Sequence, residues 1–165
     1  SGTAWTTATA TALKFRLHCS QLDLQGVTVK GAACVNTAGL GTAFVNQAPT
    51  IGNSAFMVEG SGFPASASGL LLLGAIPSWP SLPIPGADPT CFVHTDILLT
   101  LNGTAGNGNV RNAAGATGQF TFGIPIPADP ALVGGIVSTQ IGAVDAASTF
   151  PLKIVTSNAL LLTLY

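Results

Sequence analysis

The sequence predicts an all-β protein, a β-sandwich or jelly roll of eight to ten short strands in one domain. Three observations favour this class. Apolar residues recur with the two-residue period of strands, turn clusters separate these segments at short intervals, and the 165 residues include 20 Gly and 11 Pro. Glycine permits positive φ and proline lacks an amide donor, so their clusters end strands.

The first predicted strand is much longer than the others. Trp5 to Leu17 alternates over thirteen residues and would reach roughly 43 Å at ~3.3 Å per residue, whereas ordinary strands cover ~17–20 Å. Shorter segments that alternate or run apolar follow in order: Gln21 to Val29, Thr42 to Val45, Ser54 to Glu59, Gly69 to Ile76, Cys91 to Leu101, Gly118 to Gly123, Ile136 to Val144, Phe150 to Val155 and Ala159 to Leu164.

Gly- and Pro-rich clusters separate the predicted strands, at 60–64, 83–89, 102–118 and 124–130. One of them precedes the single helical candidate, which spans Asp129 to Val133. Asp129 suits an N-cap and Pro130 the first helical position. The candidate is one turn long, because Gly134 and Gly135 follow it.

The composition points to a protein that associates with other molecules. Hydrophobic residues make up 47% and charged residues 7%, against a typical charged share of ~25%. Such a surface lacks the repulsion that keeps proteins apart. The five Lys and Arg residues are scattered, so nucleic acid is not an expected partner. The longest apolar runs are far shorter than the ~18–20 residues of a membrane span, and none is expected.

The opening residues and the cysteines predict export. The start Ser-Gly-Thr-Ala, without Met, is typical of a mature end left by signal peptidase, so we expect an extracellular or cell-surface protein. Three cysteines, Cys19, Cys34 and Cys91, allow one disulfide with a free thiol, an intermolecular bridge, or less plausibly a metal site. Only His18 and His94 could complete a zinc set. We expect no metal and no cofactor.

No pattern of catalytic residues predicts an enzyme. The six acidic residues are far apart, and the densest polar cluster is His94-Thr95-Asp96. On a Cys91 to Leu101 strand, His94 and Asp96 share a face, and with a remote Ser they could form a hydrolase triad. The favoured interpretation is a hydrogen bond on the strand surface, since no G-x-S-x-G motif is present. Calcium is not expected either, because the Pro85–Pro89 loop supplies one carboxylate.

Two loops carry candidate binding or modification residues. Trp79 lies in a proline-rich loop and is interpreted either as a lid over one end of the sandwich or as a carbohydrate platform. Asn102-Gly103-Thr104 is the one N-glycosylation acceptor in the chain, which matters only if the cell glycosylates there. Asn102 begins a polar loop to Asn109 that could be a hairpin tip. The sequence identifies no small-molecule ligand.

Several stretches of the chain carry a resemblance to a known family: 49–52, 69–74, 82–86, Cys91, 124–134, Gln140 and 156–160. From about Gly31 onward the chain resembles a C-terminal domain of secreted, mostly uncharacterised proteins of planctomycete-like bacteria. The resemblance covers roughly three quarters of the chain and stops before the opening strand. It implies a β-sandwich and a Cys34–Cys91 disulfide that leaves Cys19 over, and it carries no catalytic residues.

The opening strand allows three interpretations: the first strand of its own sandwich, a linker cut from a larger surface protein, or a strand donated to a neighbouring copy. The third is favoured, because small residues can enter a groove while large apolar ones anchor in it. The expected assembly residues alternate along one face: Trp5, Thr7, Thr9, Thr11, Leu13, Phe15 and Leu17.

The sequence therefore predicts two regions, an N-terminal donor strand at 1–17 and a single β-sandwich domain at 18–165. The expected function is that of a structural subunit of an extracellular filament or surface assembly. Its partners would be copies of itself, joined head-to-tail by strand insertion. The alternative is a secreted carbohydrate- or surface-binding module.

Overall fold

The structure, a computed structural model, describes residues 24–76, 79–103 and 118–165. Within these ranges the chain forms twelve β-strands and one 3₁₀ turn, Pro130–Leu132. The strands are β1 Val27–Lys30, β2 Val35–Asn36, β3 Gly39–Leu40, β4 Thr42–Val45, β5 Met57–Ser61, β6 Gly69–Gly74, β7 Leu82–Pro83, β8 Phe92–Val93, β9 Leu99–Gly103, β10 Phe120–Gly123, β11 Ile136–Val144 and β12 Ile154–Thr163.

The strands form two main antiparallel sheets, which confirms the all-β sandwich prediction, although the described residues form twelve strands instead of the predicted eight to ten. The larger sheet has the order β1-β12-β11-β6-β9, and the smaller has the order β10-β5-β4. Two short ribbons, β2-β3 and β7-β8, complete the described strands. The pairing is antiparallel throughout these strands.

The core lies between the two sheets and is built by inward-facing side chains of both. Phe56, Val58 and Phe122 come from the side of the smaller sheet and are at most 2% exposed, while Leu71 and Ile141 of the larger sheet are fully buried. Burying each such side chain stabilises the fold by roughly 1.5–3 kcal/mol. The sheets approach closely at Gly60, where an added Cβ would lie 2.7 Å from the side chain of Ile141.

The strand β12 is one continuous strand, so the predicted pair of strands, Phe150 to Val155 and Ala159 to Leu164, is wrong. The prediction divided them because the polar run Thr156-Ser157-Asn158 lies between them in the sequence. In the structure these three side chains are buried, and each finds a hydrogen-bond partner within the fold. A polar residue whose hydrogen bonds are satisfied can occupy a buried strand.

The predicted strand Cys91 to Leu101 is also wrong, because two short strands replace it. β8 ends at Val93 and β9 begins at Leu99. Between them, the Asp96 carboxylate accepts hydrogen bonds from the backbone N–H groups of Ala75 and Ile76, at 2.9–3.1 Å. These bonds hold residues 94–98 out of a regular strand.

Most of the other predicted elements on described residues agree with the structure to within a few residues, but the predicted strand Gln21 to Val29 is shorter, because residues 25–26 form a turn and β1 begins at Val27. The predicted strand Trp5 to Leu17 lies outside the described residues. Thr42 to Val45 and Ile136 to Val144 have the predicted bounds, and the helical candidate is a 3₁₀ turn. Asp129 caps this turn, accepting a hydrogen bond from the Ala131 N–H at 2.9 Å. The short strands β2, β3 and β7 have no counterpart in the prediction, because two residues are too few for a period to be recognised.

The Cys34–Cys91 disulfide is present, with Cα atoms 4.6 Å apart. Both cysteines are buried. Cys34 also donates its backbone N–H to the Thr156 carbonyl at 2.8 Å. The bridge therefore ties the segment after β1 and the start of β8 to the middle of the larger sheet.

Candidate functional site

The outer face of the larger sheet carries a buried polar layer under residues 92–96. Gln140 of β11 is at its centre and is fully buried. Its Oε1 accepts from the His94 N–H at 2.9 Å, and its Nε2 donates to the carbonyls of Phe92 at 2.9 Å and Ser157 at 2.7 Å. Since each polar atom of the amide has a partner, Gln140 fixes the position of β8 on the sheet.

His94 is held between two other segments. Its Nδ1 lies 2.7 Å from the Ser81 Oγ, and its Nε2 lies 3.1 Å from the Ala32 carbonyl oxygen. A carbonyl only accepts, so Nε2 carries a proton, and in the neutral ring Nδ1 accepts from the Ser81 hydroxyl. His94 thus joins the segment after β1 to the start of β7.

The side chains of His94 and Asp96 do not form the pair that the sequence predicts, because each of them bonds to other groups. They are only 3% and 5% exposed, so a hydrogen bond on the strand surface is wrong as well. Burial acts to raise the pKa of Asp96, but the N–H groups of Ile76 and Ala75 and the Ser138 hydroxyl outweigh it and hold this pKa below its usual value. The carboxylate serves as an anchor for the backbone that follows β6.

Trp79 borders a cleft of about 400 Å³, and a neighbouring cleft of about 280 Å³ lies over the outer face of β6 and β11. The two share Ile84, Val93 and Ile97. Besides Thr95, the lining of the larger cleft is apolar and includes Leu82, Pro83 and Pro85 as well as Trp79. Sugar hydroxyl groups need hydrogen-bond partners when they are buried, so this cleft does not favour the carbohydrate platform.

The β9 edge is the most exposed apolar part of the larger sheet. Leu98 is 71% exposed and Leu99 is 55% exposed, and Ile97 before them is 54% exposed. Within the described ranges β9 pairs with β6 alone. The opposite edge of the same sheet is β1, the first described strand.

Several predicted site residues are not brought together here. The assembly strand Trp5 to Leu17 and Cys19 lie outside the described residues. Asn102 is exposed on β9, whereas Thr104 of its glycosylation motif is not among the described positions. In the parts of the chain that the structure describes, no group of three or more His, Cys, Asp or Glu could hold a metal ion.

The candidate calcium loop uses its carboxylate internally. Asp88 Oδ1 accepts from the Thr90 N–H at 2.8 Å and from the Thr90 hydroxyl at 2.5 Å. The hydroxyl bond and then the backbone bond lower the pKa of Asp88, against a smaller effect of burial. This pattern is that of a turn stabilised by its own side chains.

The roles of Gln140, Ser81 and Asn158 have no counterpart in the sequence prediction. A usable signal exists for two of them, because Gln140 and Asn158 interrupt otherwise apolar or small-residue segments. A polar amide in such a position indicates a buried hydrogen-bonding role. Ser81 offers no comparable signal, since it lies in a proline-rich loop.

No known protein family, curated protein or solved structure matches the chain. The resemblance to the planctomycete-like domain therefore stays a prediction. In the part of the chain that the structure describes, no helix is long and apolar enough to cross a membrane.

Proposed function

We propose that the protein is a structural subunit of an extracellular filament or surface assembly, which polymerises head-to-tail by inserting its N-terminal strand into the next copy. One observation carries the proposal. The first described strand, β1, follows the alternating segment Trp5 to Leu17 in sequence and is one edge of the larger sheet, while the opposite edge strand, β9, pairs with β6 alone among the described strands.

The strength of such a joint follows from backbone pairing. Each added hydrogen bond contributes roughly 0.5–1.5 kcal/mol net, so a strand as long as this one could hold two copies together firmly. A contact from one copy's N-terminal segment to the next copy's sheet is heterologous. Heterologous contacts that do not close into a ring make filaments.

The described surface supports association. Charged residues are 7% of the chain, and copies that carry so little charge repel one another weakly. Twelve large hydrophobic side chains are exposed among the described residues: Val29, Val35, Leu40, Ile76, Leu82, Ile97, Leu98, Leu99, Val133, Ile136, Val144 and Leu152.

An extracellular location is part of the same proposal. Disulfides such as Cys34–Cys91 persist in oxidising compartments and are rare in the cytosol. No catalytic role is assigned. The contacts of Ser81 and His94 support a structural one, since the imidazole is buried and held by Ala32 as well as by Ser81.

The test is the size of the particles that the full-length chain forms. We expect sedimentation and electron microscopy to show rods whose length increases with protein concentration. The triple variant Leu13→Asp, Phe15→Asp, Leu17→Asp should remain monomeric, because charged side chains cannot enter an apolar groove without a large desolvation cost.

A matched triple variant provides the control. Val35→Asp, Leu40→Asp, Val133→Asp introduces the same charge at positions that are 49%, 55% and 60% exposed and should still form rods. An unmodified protein that stays monomeric at every concentration contradicts the proposed function. So does an N-terminal triple variant that polymerises as well as the unmodified chain.

A further inference from the structure

The β9 edge has an apolar inner side that the described residues cover only in part. Leu101 lies opposite Leu71 in the antiparallel pair, and Leu99 lies opposite Leu73. Directly opposed residues share a face of the sheet. Leu71 is fully buried in the core, so Leu99 and Leu101 also lie on the core-facing side, yet Leu99 is 55% exposed and Leu101 is half-buried.

We call the β9 edge that no described strand pairs with, together with Leu99 and Leu101, the β9 seam. An open strand edge presents N–H and C=O groups that can pair with another strand. Natural edges are commonly protected by charges, prolines or bulges. The strand β9, with the sequence Leu-Thr-Leu-Asn-Gly, has neither a charge nor a proline.

The other sheet edges are less suited to receive a strand. The β4 edge is occupied, because the Asn158 side chain accepts from the Ala43 N–H at 2.9 Å and donates to the Ala43 carbonyl at 3.1 Å. The β10 edge exposes no large apolar side chain, since Phe120 and Phe122 are buried. The β1 edge carries Lys30, a residue type that blunts strand addition, and its ammonium group donates to the Trp79 carbonyl.

The N-terminal segment matches the β9 seam in spacing and in polarity. Its apolar residues Leu13, Phe15 and Leu17 recur every second residue, as Leu99 and Leu101 do. In a strand, Lys14 and Arg16 belong to the opposite face. On the acceptor, that opposite face carries Thr100 and Asn102, which can face charged side chains and water.

We infer that the β9 seam is the acceptor for the N-terminal strand of a second copy, with Leu13, Phe15 and Leu17 covering Leu99 and Leu101. This inference rests on the proposed function and names its contact surface. Each apolar cross-strand pair would add roughly 0.2–1 kcal/mol to the backbone pairing.

The arrangement of the sheet makes the contact head-to-tail. The donor segment precedes β1 in sequence, and the acceptor β9 is at the opposite edge of a five-stranded sheet from β1. These edges are about 19 Å apart at ~4.8 Å per strand spacing. Strand addition between copies would therefore extend the larger sheet from one copy to the next.

The first test is a matched pair of single substitutions in the full-length chain. Leu99 and Leu40 are both 55% exposed, but Leu40 lies on the β2-β3 ribbon, away from the β9 seam. We expect Leu99→Lys to raise the concentration needed for polymerisation at least ~10-fold and Leu40→Lys to leave it within about 2-fold. Circular dichroism would report whether each variant folds.

The second test combines two defective chains. Leu99→Lys retains its donor strand, and the triple variant Leu13→Asp, Phe15→Asp, Leu17→Asp retains its acceptor. We expect each alone to be monomeric and their mixture to form one-to-one dimers that grow no further. A strand that pairs within its own copy would give no dimer, and that result overturns the inference.

The outcomes separate the inference from the proposed function. If the unmodified chain does not polymerise, the proposed function fails. If it polymerises and Leu99→Lys does so equally well, the inference alone fails. Should Leu99→Lys not fold, hydrogen exchange on the unmodified chain decides, since amides of residues 99–103 must become protected on polymerisation if the β9 seam is the acceptor.

Discussion

At the scale of single residues, buried polar side chains and one glycine position residues 92–96 on the larger sheet. Gln140 bonds two backbone groups there and a third, the Ser157 carbonyl, on β12, and His94 connects Ser81 with Ala32. Gly31 has a φ of +69°, and an added Cβ would overlap the His94 ring. These residues determine where β8 lies. Substituting any of them should lower the free energy of unfolding.

We expect Gly31→Ala to lower the free energy of unfolding by more than 2 kcal/mol. The left-handed backbone alone costs an L-residue roughly 1–2 kcal/mol, and displacement of His94 adds to that. Urea denaturation would measure the change. Gly134→Ala is the matched control, because Gly134 has a φ of +79° with no atom near an added Cβ. Equal losses in both variants would contradict the role given to His94.

The lowered pKa of Asp96 predicts a pH dependence of stability. Because the folded carboxyl has the lower pKa, the unfolded chain binds more protons between that pKa and the ordinary value of ~3.9. The stabilisation is therefore present above pH ~4 and is lost as the pH falls through the folded pKa. Denaturation at pH values from 2 to 7 should show this loss in the unmodified protein and a smaller one in Asp96→Asn. Parallel profiles would refute the prediction.

At the scale of elements, the side chain of Asn158 joins two sheets that share no backbone ladder. It bonds both polar backbone groups of Ala43 on β4 from its place on β12. The amide thus forms the two hydrogen bonds that the backbone of a neighbouring strand would form with Ala43. Asn158 is buried, at 7% exposed. Here the interior of the sandwich is fixed by hydrogen bonds as well as by apolar packing.

The Asn158→Ala variant should be destabilised by about 3 kcal/mol, because it leaves two buried backbone groups without partners at roughly 1–3 kcal/mol each. Asn46→Ala is a suitable comparison. Asn46 also bridges two backbone groups, those of Ala55 and Met57, but it is half-buried and water can replace it. Thermal and urea unfolding of both variants would show whether Asn158 contributes more.

At the scale of the whole molecule, a single covalent bridge and one shared core stabilise the described fold. The disulfide joins positions 57 residues apart, and its ends lie in the core with Phe56, Val58 and Leu160. A bridge of this span restricts the unfolded chain more than the folded one. It therefore stabilises the folded chain itself.

Replacing both Cys34 and Cys91 with Ala should lower the free energy of unfolding by about 4 kcal/mol, from the loop-closure entropy of a closed loop of this length. Polymerisation, in contrast, should persist under conditions in which the variant is folded, because neither cysteine belongs to the β9 seam. Urea titration and sedimentation of the same samples would test both statements. A loss below 1 kcal/mol would contradict the first.

The sequence determined the class of fold and little of the site. Alternation in segments such as Ile136 to Val144, with Gly and Pro between segments, is a local signal, and local signals specify strands. The sequence also indicated that Asp129 is an N-cap, since N-capping depends only on neighbouring residues. The donor strand, Trp5 to Leu17, stays a prediction.

Only the tertiary structure decided which polar residues are buried, which predicted strands are broken and which edges the described strands leave unpaired. The polar run Thr156, Ser157 and Asn158 predicts the end of a strand. It continues β12 instead, because backbone groups distant in sequence form hydrogen bonds with these side chains. Asp96 belongs to a predicted strand, yet it interrupts it by binding Ala75 and Ile76. The physical reason is the same in each case. A hydrogen bond between residues far apart in sequence can outweigh the secondary structure that each residue favours locally. Only the folded chain shows which residues come into contact.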